Sequence, residues 1–226
     1  PGFHTMLART DVRERNVTHY YRIPKTGSTA TRQLIGYHCG MDVQLHTHSD
    51  GCLNLDWCSG SQLSPELRSF TVVRDPCQRF YSQFNHLKAT TAASLSPNLS
   101  AHLKTPLALL AAVNATEQCG NLVSASKRLT CHVKFIRDAF ASRHAVILWP
   151  QAFFVPPQAR MLCYSRSGLV SAMERFLSGS VGCRNVKLSQ LRKAVSAHPT
   201  IHDSKHSDAL CAAVQQVSAM TRYFGE

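Results

Sequence analysis

The sequence predicts an α/β fold: one domain built on a central, mostly parallel sheet flanked by helices. Three observations lead there. Runs rich in β-branched and aromatic residues, such as 17–23 and 69–73, alternate with runs whose apolar residues recur at helical spacing. Strands separated by helices pair in parallel, because the helix carries the chain back across the sheet. The chain has 226 residues, 44% of them hydrophobic, enough for one sizeable core. No internal repeat or long linker divides it, so residues 1–226 read as a single domain.

The elements follow in order. Residues 17–23 are the first strand, 24–29 a tight turn and 30–37 a helix. Residues 40–64 are polar and rich in His, Gly and Cys, and read as a loop. Residues 69–73 (Ser-Phe-Thr-Val-Val) are a buried strand. Asp75-Pro76 opens the next helix, since a proline in the first turn lacks only an N–H that has no helical partner there. Phe80, Phe84 and Leu87 give that helix its apolar face. Residues 89–100, rich in Ser, Thr and Ala, read as a surface excursion. Residues 107–113 and 133–140 are helical, and 145–148 and 161–164 are short strands. An amphipathic helix covers 169–177, and a short one covers 189–195. The last helix runs from 207 to 224 with Ser207 as its N-cap. Trp57, Trp149, Phe153 and Phe154 read as core or pocket lining, and 151–157 as a loop over the site.

Charge and cysteine content narrow the setting. Lys and Arg number 25 against 13 Asp and Glu, a net charge of +12. That excess favours an anionic partner: nucleic acid, an acidic glycan or a phosphorylated cofactor. The basic residues are scattered with no run of five, which argues against nucleic acid. No stretch approaches the roughly 18 consecutive apolar residues of a membrane span. Pro1-Gly2-Phe3-His4 is neither a signal peptide nor a start, so any membrane attachment would come from an anchor outside these residues. Nine cysteines occur without a CxxC pair, which favours disulfides over a zinc ribbon. The odd number leaves at least one thiol free or paired outside the chain. Cys52 with Cys58 and Cys119 with Cys131 are the short-loop pairings. Three glycosylation sequons begin at Asn16, Asn98 and Asn114. Together these features point to the secretory pathway.

Two segments carry the chemistry. In the first, a strand is followed by Pro24-Lys25-Thr26-Gly27-Ser28-Thr29 and then a helix. Free N–H groups and the dipole at a helix start attract an anion. Gly27 permits close approach, Lys25 adds a point charge, and Ser28, Thr29 and Thr31 add hydroxyls. Lys25 precedes the Gly, so this is not the Walker phosphate loop, and no acidic metal ligand follows a later strand. Read alone, the segment describes an anion-binding turn. The second segment is Arg74-Asp75-Pro76-Cys77-Gln78-Arg79-Phe80-Tyr81-Ser82, beginning 45 residues after Thr29. Arg74 offers a forked donor and Ser82 a hydroxyl to a second phosphate, while Asp75 caps the helix or orients Arg74.

In this order and spacing the two segments resemble those of the PAPS-dependent sulfotransferases, particularly the Golgi carbohydrate branch. PAPS is 3′-phosphoadenosine 5′-phosphosulfate. The resemblance implies a P-loop-like three-layer sandwich with the ligand at the carboxyl ends of the strands. It implies that Lys25, Thr26, Gly27, Ser28, Thr29 and Ala30 bind the 5′-phosphosulfate and that Arg74 and Ser82 bind the 3′-phosphate. The C-terminal Tyr223-Phe224-Gly225, after a polar loop with Lys205 and His206, also resembles the family's ending, which brings Lys205 toward the nucleotide. The expected reaction is in-line transfer of a sulfuryl group to an acceptor hydroxyl, with PAP (the desulfonated donor) as product and no obligatory metal. The expected acceptor is an oligo- or polysaccharide, in the Golgi lumen or elsewhere in the secretory pathway.

A base must take the acceptor proton, and Lys25 would stabilise the leaving phosphate. His46-Thr47-His48 lies between the two segments. The uronosyl 2-O-sulfotransferases have a His-x-His pair in the corresponding interval, which implies His48 as base, with His46 second. Asp50 and Glu66 are acidic alternatives, and a zinc site from His38, His46, His48 and Cys52 matches no standard spacing. Two rival functions stay open: a catalytically inactive relative that binds acidic glycans, and another nucleotide-dependent transferase.

Overall fold

The computed structural model describes residues 18–28, 31–32, 43–46, 68–90, 94–114, 116–122, 124–155, 159–164, 169–176 and 208–217. Among them, strands β1 (Thr18–Tyr21), β2 (Val43–His46), β3 (Arg68–Arg74) and β4 (Arg160–Tyr164) form one sheet in the order β2-β1-β3-β4. Every pairing is parallel. The α-helices described are α1 (Pro76–Ala89), α2 (Pro97–Ala101), α3 (Pro106–Val113), α4 (Thr116–Cys119), α5 (Ala125–Phe140), α6 (Leu169–Arg175) and α7 (Asp208–Gln216). Two 3-10 helices, Arg143–Leu148 and Gln151–Phe154, connect α5 toward β4.

The sheet is covered on both faces, as a parallel sheet must be to keep its strands dry. All four residues of β1 are buried. Side chains alternate between faces along a strand, so Phe70 and Thr71 point opposite ways. Tyr20 is paired in register with Phe70 and stacks on it at 4.9 Å. Phe176, just after α6, meets the Phe70 ring at 4.6 Å. On the other side, Val73 packs against a larger core contributed by α1, α3, α5, α7 and both 3-10 helices. Phe80, Leu87, Leu109, Ile136 and Leu148 there are 0–1% exposed.

Three helices open in one local way. Asp75-Pro76, Ser96-Pro97 and Thr105-Pro106 each pair an N-capping side chain with a proline in the first turn. The caps accept from the amides of Gln78 at 2.9 Å, Leu99 at 3.3 Å and Ala108 at 3.1 Å. Each cap satisfies a donor that the helix cannot.

Several expectations need correction. Residues 145–148 are not a strand: they lie in the 3-10 helix Arg143–Leu148, capped by the Ser142 hydroxyl on the His144 amide. A short buried apolar run looks the same in either conformation, and the cap decides it. Residues 40–64 are not all loop, because Val43–His46 is a strand; its polar surroundings hid it. Residues 89–100 are not all surface, since α1 reaches Ala89 and α2 buries Leu99 completely. The helix expected at 133–140 begins at Ala125. The helix at 189–195, Ser207, everything after 217 and Trp57 lie outside the described residues.

Two disulfides are present among the described residues, Cys119–Cys131 as expected from its short loop, and Cys77–Cys211. The Cys52–Cys58 pairing lies outside the described residues, and Cys163 is an exposed free thiol. Cys77–Cys211 spans 134 residues and ties the first turn of α1 to α7. A closure of that length restricts the unfolded chain strongly, so the double variant Cys77→Ala/Cys211→Ala is expected to lose about 2–5 kcal/mol in denaturant unfolding.

His132 is 1% exposed inside α5, and its burial lowers its pKa below 6.5. The unfolded chain then binds the extra proton as pH falls through about 6.5, which favours unfolding. Stability is expected to drop on acidification from about pH 7.5 to 5.5, and His132→Leu to narrow that drop in thermal melts.

Candidate functional site

β1 and β3 are adjacent and parallel, so the loop leaving β1 and the residue ending β3 meet at one carboxyl edge. Ligands bind at this edge in open α/β sheets. The loop is Arg22–Ser28, and Arg74 is the last residue of β3.

The loop is folded tightly. Gly27 has φ 78° and Lys25 has φ 66°, both in the left-handed region. Glycine takes that conformation freely, but in Lys it costs about 1–2 kcal/mol and has to be imposed by surrounding contacts. Those contacts hold successive carbonyls. The Thr26 hydroxyl donates to Ile23 O at 3.0 Å, Arg79 Nε donates to Pro24 O at 3.1 Å, and an Arg74 guanidinium nitrogen donates to Lys25 O at 3.4 Å. The amide and hydroxyl of Thr31 both donate to Gly27 O, at 3.0 and 3.1 Å, in the first turn of the following helix.

These contacts decide where the amides point. No peptide bond is cis among the described residues. In a trans peptide the N–H lies opposite its C=O. With the carbonyls of Pro24, Lys25 and Gly27 turned onto protein donors, the N–H groups of Lys25, Thr26 and Ser28 face the other way. These N–H groups are thereby left turned away from the donors that hold the loop, as an anion site requires. Arg22 Nε donates to the Ser28 hydroxyl at 3.2 Å and steadies that end.

Arg74 is 5% exposed, and Gln151 holds its backbone at two points. The Arg74 amide donates to Gln151 Oε1 at 2.9 Å, and Gln151 Nε2 donates to Arg74 O at 2.7 Å. A side-chain amide thus pairs with both backbone groups of the strand's last residue. Asp75 caps α1, and Ser82, at 8% exposed, follows on that helix.

The electrostatics are one-sided. Burial and then Arg74 lower the Lys25 ammonium below its ordinary value. Burial and then Arg74 push Arg79 down to about 9, still protonated at neutral pH. Burial, then Lys25, then His144 lower His86. Arg74 is the charge that acts on both Lys25 and Arg79, and Lys25 in turn acts on His86. Like charges held close together raise each other's cost, and an anionic ligand relieves that cost.

Fold, loop and charge agree with what a comparison of the whole chain finds. A family model described as the sulfotransferase family matches residues 8–178. The chain belongs to that family. No curated protein and no solved structure matches it.

Within this sulfotransferase, Lys25, Thr26, Gly27, Ser28, Arg74 and Ser82 lie on the two segments that meet at the carboxyl edge. Two expectations change, and Arg79 gains a structural role. The hydroxyls of Thr26 and Thr31 are used inside the loop, so Thr26 offers its amide and Thr31 offers no hydroxyl to a ligand. Arg79 is 2% exposed and donates to Pro24 O, Ile147 O at 3.2 Å and Trp149 O at 3.0 Å. It clamps the backbone at three carbonyls. Residues 151–154 are a 3-10 helix supporting Arg74, not a loop over the site. His46 ends β2 level with Tyr21, on the opposite flank of β1 from Arg74. Thr29, Ala30, His48, Lys205, His38 and Cys52 lie outside the described residues. Among the described residues no group of three metal-ligating side chains occurs.

The sequence reading missed Gln151, Arg22 and the His86–His144 pair. Helical spacing could have found His86, four residues beyond Ser82 on the same stripe of α1. Along that stripe Arg79 reaches Trp149 and Ile147, Gln83 reaches Ile147, and His86 senses His144.

Proposed function

We propose that this chain transfers a sulfuryl group from PAPS to a carbohydrate hydroxyl in the secretory pathway. The observation that carries this reading is the tight strand-to-helix loop at the carboxyl edge that sets Lys25 beside Arg74. The donor, when bound, supplies a sulfuryl group whose leaving partner is a phosphate oxygen. The amides of Lys25, Thr26 and Ser28 would hold the 5′-phosphosulfate, together with Gly27, Thr29 and Ala30. The Lys25 ammonium neutralises charge on the leaving oxygen. Arg74 and Ser82 would hold the 3′-phosphate, with Lys205 near the nucleotide. His48, with His46 as the second choice, accepts the acceptor proton. The net charge of +12 suits an anionic saccharide.

The test is transfer of labelled sulfate from PAPS across glycan, peptide and small-alcohol acceptors, with PAP binding measured without Mg²⁺. Turnover on a glycan and loss of PAP binding in Arg74→Ala are expected. His48→Ala is expected to lower kcat by about 10²–10⁴-fold with PAP affinity kept. Full activity in His48→Ala removes the base assignment, and binding of ATP with Mg²⁺ in place of PAP removes the donor assignment.

A further inference from the structure

One face of α1 runs from the loop after β1 toward a pair of histidines. Arg79, Ser82, Gln83 and His86 recur on that face at helical spacing. The face packs on the 3-10 helix Arg143–Leu148. Arg79 donates to Ile147 O and Trp149 O, and Gln83, one turn on, donates to Ile147 O. Arg79 also holds Pro24 O, so the loop that carries Lys25 meets the same face. His86 comes a further turn along. There His144 of the 3-10 helix and Lys25 of the loop both act on its imidazole.

His86 is exposed, so a ligand can reach it. Burial of part of the ring, then Lys25, then His144 oppose its protonation. An anion brought up to it reverses that balance, because an imidazolium N–H donates strongly to a charged oxygen. The other elements packed against α1 add little charge here. Arg143, on the 3-10 helix, is a further cation and is exposed. α3 has no titratable side chain, and α7 has Asp208. Cys77–Cys211 bonds α7 to the first turn of α1, about two and a half turns from His86.

We propose that His86 binds the acceptor, taking the carboxylate or sulfate ester of an acidic saccharide beside Lys25. In the reaction proposed above, the sulfuryl group lies at the Lys25 end of the site and the 3′-phosphate at the Arg74 end. Lys25 is the loop cation that acts on His86, so His86 borders the end at which the acceptor hydroxyl arrives. The imidazole takes up a proton from solvent as the anion settles against it, and no covalent bond changes there. The proposal rests on the sulfuryl-transfer reading and names the class of its acceptor. An acidic saccharide is held by this residue and a neutral one is not, which makes His86 a specificity residue.

The experiment measures, by calorimetry, binding of a heparin-derived hexasaccharide to the full chain loaded with PAP. The parent, His86→Gln and His86→Arg are compared at about pH 6 and about pH 7.5. The bound anion raises the His86 pKa from below 6.5, so the parent is expected to bind more tightly at the lower pH. His86→Gln is expected to bind about 10-fold more weakly than the parent at the lower pH. His86→Arg, charged at both pH values, is expected to bind tightly at both. PAP affinity is expected to be the same in all three. Carboxyl-reduced and desulfated forms of the hexasaccharide show which group His86 takes, since the difference between parent and His86→Gln disappears in one of them. Equal hexasaccharide affinity in parent and His86→Gln, or none in the parent, overturns the proposal. So does a difference that survives both modifications, or weaker PAP binding in His86→Gln, which puts the residue on the donor. A parent that binds hexasaccharide but no PAP removes the sulfuryl-transfer reading, and this proposal with it.

Discussion

Lys25→Gly is expected to lower kcat for sulfuryl transfer by about 10²–10³-fold while leaving the folded state as stable as before, or more so. The two effects separate because two parts of one residue are involved. In the proposed reaction the ammonium neutralises charge on the leaving oxygen, and its loss removes a stabilisation made in the transition state. The backbone at φ 66° is strained in Lys, and Gly relieves about 1–2 kcal/mol of that strain. Lys25→Ala loses the same charge and keeps the strain, so Gly is expected to melt higher than Ala. Transfer of labelled sulfate, PAP binding and thermal unfolding on both variants decide the matter. Activity above about a tenth of the parent in Lys25→Gly would show that the charge is not used in the step. A lower melting point for Gly than for Ala would show that the loop is not strained.

Arg79→Ala is expected to produce the largest loss of stability of any single substitution in the site, about 3–5 kcal/mol in denaturant unfolding. Its guanidinium is buried and donates to three backbone carbonyls, Pro24, Ile147 and Trp149. Truncation leaves those acceptors unpaired and opens a cavity. Arg79→Lys is expected to recover only part of the loss, because a single ammonium cannot span the fork. Donor binding falls with it, because Pro24 O is one of the anchors that set the loop. Arg74→Ala makes the contrast: donor binding is lost with a smaller change in stability. Equal stability losses in the two variants would mean that both arginines are structural.

Much of the fold was legible because it is encoded locally. The strand-turn-helix order around Gly27, the Asp75-Pro76 helix start and the strand ending at Arg74 each follow from neighbouring residues. What misled was local ambiguity. The Ala-Val-Ile-Leu run at 145–148 satisfies strand and 3-10 helix alike, and only the Ser142 cap and burial on both sides chose between them. Ser96-Pro97 carried the same helix-start signal as Asp75-Pro76 but was masked by the Ser-, Thr- and Ala-rich residues around it.

The sequence by itself determined the chemistry at the site: a glycine where the loop must turn, a lysine beside it, and an arginine at a strand end on a parallel sheet. It also determined the family to which those segments belong. Only the tertiary structure decided which arginine holds the backbone of the loop and its surroundings. Arg74 and Arg79 are equivalent as residues five apart. Their roles differ because Arg79 points into a space closed by carbonyls 55–70 residues away, while Arg74 ends a strand at the open edge. The same holds for Cys77 and Cys211, joined across 134 residues, and for Gln151, whose amide completes the end of β3. Hydrogen bonds and disulfides between distant segments depend on where the chain returns in space, and local spacing carries no record of that.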